Sequence, residues 1–278
     1  MGAAGAGLIY LYAHRENLTE DALTQACRTA DRLLQVGEET PDGLCWLMMV
    51  DMAFPFTAPN FAHGSAGVGY FLADLYQETA DDRYLTAALG AAEYVASRTY
   101  AQEQGFLVCH TEEQKPPSTF YLGVCHGPAG TGRLMYLLAQ ITRDSRWMDW
   151  LQDNWAGLLS TGAPETRSNG LWQNLGQCCG DAGIGDYALF LYGATGNESY
   201  LAFARRIAAH ITETRVVGGS GCCWEQAEHR GRPEFLEQQT GYMQGAAGIG
   251  SFLLHLDGVR KGKNPKIVMP DVPFVAVR

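Results

Sequence analysis

Four short phrases place side chains that bind or move ions directly before a glycine: His63-Gly64, Cys125-His126-Gly127, Cys178-Cys179-Gly180 and Gln244-Gly245. Three of the four carry thiol or imidazole. Zinc prefers four-coordinate thiolate and imidazole sites, and catalytic zinc keeps three protein ligands with one position open. Cys125 together with Cys178 and Cys179 meets that count from two phrases. Most cysteines without a partner are small buried hydrophobes, and Cys27, Cys45 and Cys109, which follow no such phrase, are read that way. Cys222-Cys223 lies in a glycine-rich linker outside the phrases and reads as structural. His14, His210, His229 and His255 read as ordinary surface or core imidazoles.

What positions these residues is a repeat. The pattern Gly-x-Ala-Gly occurs five times, beginning at Gly2, Gly64, Gly127, Gly180 and Gly245. Each copy runs into an apolar helical stretch, such as Val68 to Leu75 or Ile184 to Leu191. A further glycine follows two residues on in every copy: Gly7, Gly69, Gly132, Gly185 and Gly250. Small residues on one face let a neighbouring helix approach closely. Four of the five helices are followed by a turn and a second helix, as at Asp82 to Ser97 and at Tyr200 to Thr214, the latter with Asn197 as N-cap. No alternating β pattern of any length is found, and only the linkers Gly105 to Cys109 and Gly219 to Glu225 leave room for short strands. Trp147, Trp150 and Trp155 fall at helical spacing and read as packing residues. With an apolar inner helix and an amphipathic outer one in each unit, stacking the pairs around an axis buries all inner faces together. The expected fold is all-α, an α/α toroid of stacked helix hairpins. Its glycine turns lie at one end of the inner helices, so the residues before the glycines converge on a central opening.

Composition narrows the function classes. The chain has 278 residues, of which 46% are hydrophobic and 18% charged, enough for a sizeable core. Lys and Arg number 20 against 30 Asp and Glu, a formal charge of -10. Nucleic acid is therefore not an expected partner. No stretch approaches the roughly 20 apolar residues that span a bilayer. The adjacent pairs Cys178-Cys179 and Cys222-Cys223 are poorly placed to close unstrained disulfides, which fits a reducing, cytoplasmic setting.

The phrases Ala62-His63-Gly64-Ser65-Ala66-Gly67, Cys125-His126-Gly127-Pro128-Ala129-Gly130 and Cys178-Cys179-Gly180-Asp181-Ala182-Gly183, in this order, resemble the signature of the lanthionine synthetase C-like family over most of the chain. The resemblance implies that His63 is a catalytic acid/base and that Cys125, Cys178 and Cys179 bind zinc. Most members have His at the position of Cys179; a subgroup with a Cys-Cys-Gly phrase has an all-thiolate site, whose electron-rich zinc should release a bound thiolate readily. His126 stands where cyclases often carry Tyr, which implies a second acid/base rather than a ligand. The complete family toroid has seven helix pairs and this chain has about four and a half. The ring is thus expected to be incomplete at its N-terminal side, without a counterpart of the Asp that members carry there. A domain fragment, the tail of a fused synthetase and a reduced homologue are the readings of that shortening. Residues 1–258 are assigned to the toroid and 259–278 to an irregular C-terminal extension.

The activity so implied is that of a zinc-dependent thioether (lanthionine) cyclase, which adds a Cys thiolate to dehydroalanine or dehydrobutyrine in a dehydrated precursor peptide. A dehydratase partner or fused domain would supply that peptide. Zinc lowers the pKa of the substrate thiol below its free value near 8.5, the thiolate attacks the β-carbon, and His63, entering opposite the metal, protonates the α-carbon. An acidic opening suits a peptide with basic residues. The linker His110 to Ser118 reads as a connection, with a substrate flap as the alternative. Three rival readings stay open: a zinc protein that binds or conjugates a small thiol such as glutathione, a purely structural zinc site with His126 as fourth ligand, and a glycan-processing α/α barrel, which needs carboxylates at the turns where Asp181 is the main candidate.

Overall fold

Each glycine phrase opens a helix without a side-chain cap, because the loop before it supplies the acceptors. Gly64, Gly127, Gly180 and Gly245 are N-caps with extended backbone. The first helical N–H groups of Ser65, Asp181 and Ala246 donate to the carbonyls of Ala58, Asn174 and Gln239, each seven residues back, at 2.8, 2.6 and 2.9 Å. These are groups that a helix end leaves orphaned. At the remaining phrase the equivalent position is Pro128, which has no N–H to satisfy and whose fixed φ suits the first helical turn.

The computed structural model describes residues 2–48, 56–110, 120–166, 171–172, 174–219, 221–227, 232, 234–263 and 269–274. Among these, the helices are α1 (Ala3–Arg15), α2 (Ala22–Val36), α3 (Ser65–Thr79), α4 (Asp82–Ala96), α5 (Pro128–Thr142), α6 (Arg146–Ser160), α7 (Asp181–Thr195), α8 (Glu198–Glu213) and α9 (Ala246–Arg260). Helices α1, α3, α5, α7 and α9 are the inner set, and each of the first four packs against the outer helix that follows it. In α7 every residue from Asp181 to Leu191 is buried, whereas α2 buries only Ala22, Ala26, Ala30 and Leu33, one face at helical spacing. The Asn197 side chain accepts from the N–H of Ser199 at 3.0 Å, as expected of an N-cap.

Successive inner helices pack side by side, so the fold is an α/α toroid in the form of an arc. Three of the extra glycines mark the contact: a Cβ at Gly7, Gly132 or Gly185 would strike the rings of Phe71, Tyr187 and Phe252 on the next inner helix, whereas one at Gly69 would first meet Ala91 of α4. Gly250 on α9 has open space there among the described residues.

Strands are confined to the linkers, in two-stranded pieces two or three residues long. These are β1 (Glu38–Thr40) with β2 (Gly43–Cys45), β3 (Leu47–Met48) with β4 (Phe56–Thr57), β5 (Thr99–Ala101) with β6 (Phe106–Val108), β7 (Phe120–Tyr121) parallel to β8 (Leu171–Trp172), β9 (Val216–Gly218) with β10 (Gly221–Cys223), and β11 (Glu225–Ala227) with β12 (Leu236–Gln238). The two linkers with room for strands hold β6 and β10; the others are too short to alternate visibly. The hairpins close the ends of the outer helices. Trp46 and Trp224 donate their indole N–H groups to Leu33 and Ile211, both at 2.8 Å. Trp147 and Trp155 are buried and Trp150 packs on Phe106. After α9 the described piece Met269–Phe274 has neither helix nor strand, yet it docks on the inner helices: Phe274 stacks on Phe190 at 5.6 Å and Asp271 pairs with the buried Arg133 at 2.6 Å. No helix among the described residues is long and apolar enough to cross a membrane.

Candidate metal centre

The glycine turns are joined edge to edge. The N–H of Ala62 donates to Cys125 O at 2.8 Å, that of Cys125 to Cys178 O at 3.0 Å, and that of Cys178 to Met243 O at 2.9 Å. Gly123 and Gly176 allow this approach, because a Cβ at either would meet the backbone of the adjoining turn, at Cys179 and at Met243-Gln244. The ladder puts His63, His126, Cys179 and Gln244 in one equivalent slot, with Ala62, Cys125, Cys178 and Met243 in the slot before it. A shared backbone thus presents different chemistry at each step.

Two neighbouring steps bring three thiols together. The ligand atoms of Cys125, Cys178 and Cys179 all lie within 4.8 Å of one another, the sulfurs of Cys125 and Cys179 at 3.3 Å. Cys125 is buried, while Cys178 and Cys179 are partly exposed. Bonds from Cys125 and Cys178, with a weaker one from the Gln244 amide, pull the Cys179 thiol down to about 3; Cys125, the matching donor, is pushed well above the usual thiol range by the same bonds and by burial. Zinc–sulfur bonds of about 2.3 Å place tetrahedral sulfurs roughly 3.8 Å apart, a spacing that lies between the 3.3 Å of Cys125 and Cys179 and the 4.8 Å that bounds all three.

The histidines line the adjoining turns. The His63 and His126 rings lie 5.3 Å apart, and His110 meets His126 edge-on at 4.5 Å. Tyr121 touches both His110 and His126 at 4.3 and 5.1 Å. Burial, then the neighbouring His110 and His63, depress His126 to about 3, so its ring is neutral at physiological pH. Its Nδ1 is buried and has no hydrogen-bond partner among the described residues. His63 is exposed, and Asn60 fixes its backbone by accepting from the His63 N–H at 2.9 Å while donating to His110 O at 3.3 Å. The ladder sets His63 one turn along from Cys125, because adjacent phrases pair through their backbones.

Neither His110, the first residue of the linker read as a connection, nor Tyr121 belongs to a glycine phrase; they flank residues 111–119, which lie outside the described residues. Gln244 was visible as the residue before a glycine, and its amide reaches Cys179 at 3.9 Å. Gln226 gave no local signal. It accepts from Leu175 N at 2.9 Å and donates to Gln244 O, tying the third turn to the last. Cys27 is partly buried and Cys45 and Cys109 are buried, and none of them joins the trio among the described residues. His210 and the fully buried Asp181 form a pair at 3.6 Å, and His229 lies outside the described residues.

A sequence model described as "Lanthionine synthetase C-like protein" matches residues 1–269. No curated protein matches the chain by sequence. Among solved structures, the Lin0763 protein from Listeria innocua is similar with a TM-score of 0.55 at 12% identity, covering 86% of this chain and 65% of that one. A nisin cyclase is similar with a TM-score of 0.53 at 14% identity, covering 70% and 52%. A family 76 glycoside hydrolase (mannosidase) from Bacteroides thetaiotaomicron gives 0.54 at 15% identity, covering 92% and 68%. The chain spans less than two thirds of the first two, and likenesses at such identity concern the fold alone.

Proposed function

The chain belongs to the lanthionine synthetase C-like family, and from that premise we propose that it is a zinc-dependent enzyme adding a thiol across the double bond of a dehydrated Ser or Thr in a peptide. The observation that carries the reading is the convergence of Cys125, Cys178 and Cys179 from two turns, the first buried and the other two partly exposed. Three protein ligands are the number a catalytic zinc site keeps. The chemistry that bound zinc supplies is acidification of a thiol whose free pKa is near 8.5, so that it is a thiolate at neutral pH. In the cyclase reading, that thiol is a cysteine of the same peptide.

The substrate thiolate forms a C–S bond to the β-carbon of dehydroalanine or dehydrobutyrine. The π electrons move onto the neighbouring carbonyl as an enolate, and its collapse takes a proton at the α-carbon. His63 is the proton donor in this scheme, being exposed at the opening with its backbone fixed by Asn60. His126, kept neutral by burial, serves better as a fixed hydrogen-bonding wall than as the acid. The Gln244 amide steadies Cys179. A dehydratase, separate or fused, would supply the substrate, and the proposed setting is the cytoplasm.

Elemental analysis of purified wild type, Cys125→Ala and Cys179→Ala tests the centre, followed by mass spectrometry of a dehydrated peptide, where addition removes one free thiol without changing mass. One zinc in wild type, lost in both variants, together with thiol disappearance, is the expected result. Zinc retained in both variants would end the proposal. A glutathione adduct in place of an internal thioether would select the small-thiol reading. The glycan reading has little here to work with, since Asp181 is fully buried.

A further inference from the structure

The residue three before each motif glycine is Phe61, Val124, Gln177 and Tyr242 in turn. In three turns it is aromatic or aliphatic. In the turn that carries both Cys178 and Cys179 it is an amide, and it is buried, 7% exposed. Its Nε2 donates to Asp186 Oδ2 at 2.7 Å and to the carbonyl of Gly248 at 2.9 Å. The other oxygen of Asp186 lies 2.8 Å from Nδ1 of His255. Asp186 and His255 are each 3% exposed, and the His255 ring lies beside Phe190 at 5.2 Å. A buried polar chain thus runs from the cysteine turn through α7 to α9.

Packing does not require it. Phe61 and Val124 hold the same place in their turns without buried hydrogen bonds to satisfy, whereas a carboxylate in this core is costly unless every partner stays in place. What the chain adds is constraint. A Cβ at Gly183 would strike the main-chain oxygen of Gln177, and the side chain of Gln177 is held at two points by different helices. Both the backbone and the side chain of the residue before Cys178 are therefore fixed.

We infer that Gln177, Asp186 and His255 are positioning residues of the metal centre, a relay that holds the Cys178-Cys179 turn in ligating geometry and couples it to the seating of α9. This rests on the reading of the three cysteines as metal ligands. Outer partners of this kind are worth about 10-fold to 100-fold in metal affinity.

The test uses the full chain as wild type, Cys179→Ala, Gln177→Leu, Asp186→Leu and Asp186→Asn. Zinc affinity is read by competition with a chromophoric chelator, coordination by the thiolate-to-metal band of the cobalt-loaded protein, and folding by the melting of the metal-free protein. Gln177→Leu and Asp186→Leu should bind zinc about 10-fold to 100-fold more weakly with an altered cobalt band. Asp186→Asn, whose amide oxygen still accepts from Gln177, should stay near wild type. Leu variants that melt lower but keep wild-type affinity and cobalt spectrum would overturn the relay and leave the metal reading standing. A wild type that binds neither zinc nor cobalt would overturn both. If Asp186→Leu does not fold, Gln177→Leu decides alone, since Leu there is the kind of side chain that Val124 shows the turn accepts.

Discussion

The first and third glycine turns share a backbone and differ in chemistry. In both, a helix starts at an extended glycine, its first N–H reaches seven residues back, and the next glycine packs under the carbonyl six residues earlier, of Phe61 in one and Gln177 in the other. The first turn ends in Ala62-His63, exposed to solvent; the third ends in Cys178-Cys179, beside Cys125. The repeat is a mounting, and two side chains per copy decide what is mounted. Binding and proton transfer should then separate by turn. His63→Gln is expected to keep zinc and lower turnover about 10²-fold to 10⁴-fold, the usual worth of a general acid. Zinc content beside single-turnover kinetics checks this, and zinc lost from His63→Gln would blur the division.

The mounting itself should break alike in both turns. Gly67→Ala and Gly183→Ala each put a Cβ against a backbone carbonyl that cannot move without shifting the turn. Overpacking of this sort costs about 1–3 kcal/mol, so urea midpoints should fall in both variants. Activity in each should suffer in its own manner, the proton step for Gly67→Ala and metal retention for Gly183→Ala. Equal midpoints to wild type would mean that the turns are looser than their glycines imply.

How much of this was readable follows from the same contrast. The five glycine phrases, the inner helices and the convergence of His63, Cys125, Cys178 and Cys179 were legible because they sit at fixed places in a repeat. His110 and Gln226 were not, since they come from the linkers and reach the site through rings and amides that no spacing rule marks. The hairpins had a faint signal that went unread: Gly43-Leu44-Cys45-Trp46 and Gly221-Cys222-Cys223-Trp224 are one motif, each indole closing the outer helix thirteen residues before it. Asp186 and His255 were invisible as a pair because α7 and α9 are brought together only by the ring.

His126 sharpens the comparison by pH. Its depressed value, about 3 against an ordinary 6.5, means that below pH 6.5 the unfolded chain takes up a proton that the folded chain refuses. Stability of the zinc-free protein should therefore fall as pH drops from 6.5 towards 3, with a slope from this group approaching about 1.4 kcal/mol per unit, and be unaffected by it above 6.5. Urea titrations between these limits should show a shallower slope in His126→Asn than in wild type. Identical slopes would mean that the ring is not buried as a neutral group.

The smallest effect concerns the edge of the arc. Gly185 and Gly250 occupy the same place in their helices, but a Cβ at Gly185 would meet the Phe252 ring while one at Gly250 meets nothing among the described residues. In an open helical position alanine is favoured over glycine by about 0.5–1 kcal/mol, through the backbone entropy that glycine loses. Gly250→Ala should thus raise the unfolding free energy by that amount, and the urea midpoint with it, whereas Gly185→Ala lowers both. Because the sign, not the size, separates the two cases, a destabilised Gly250→Ala would show that something packs against that face of α9 in solution, as Phe252 packs against α7.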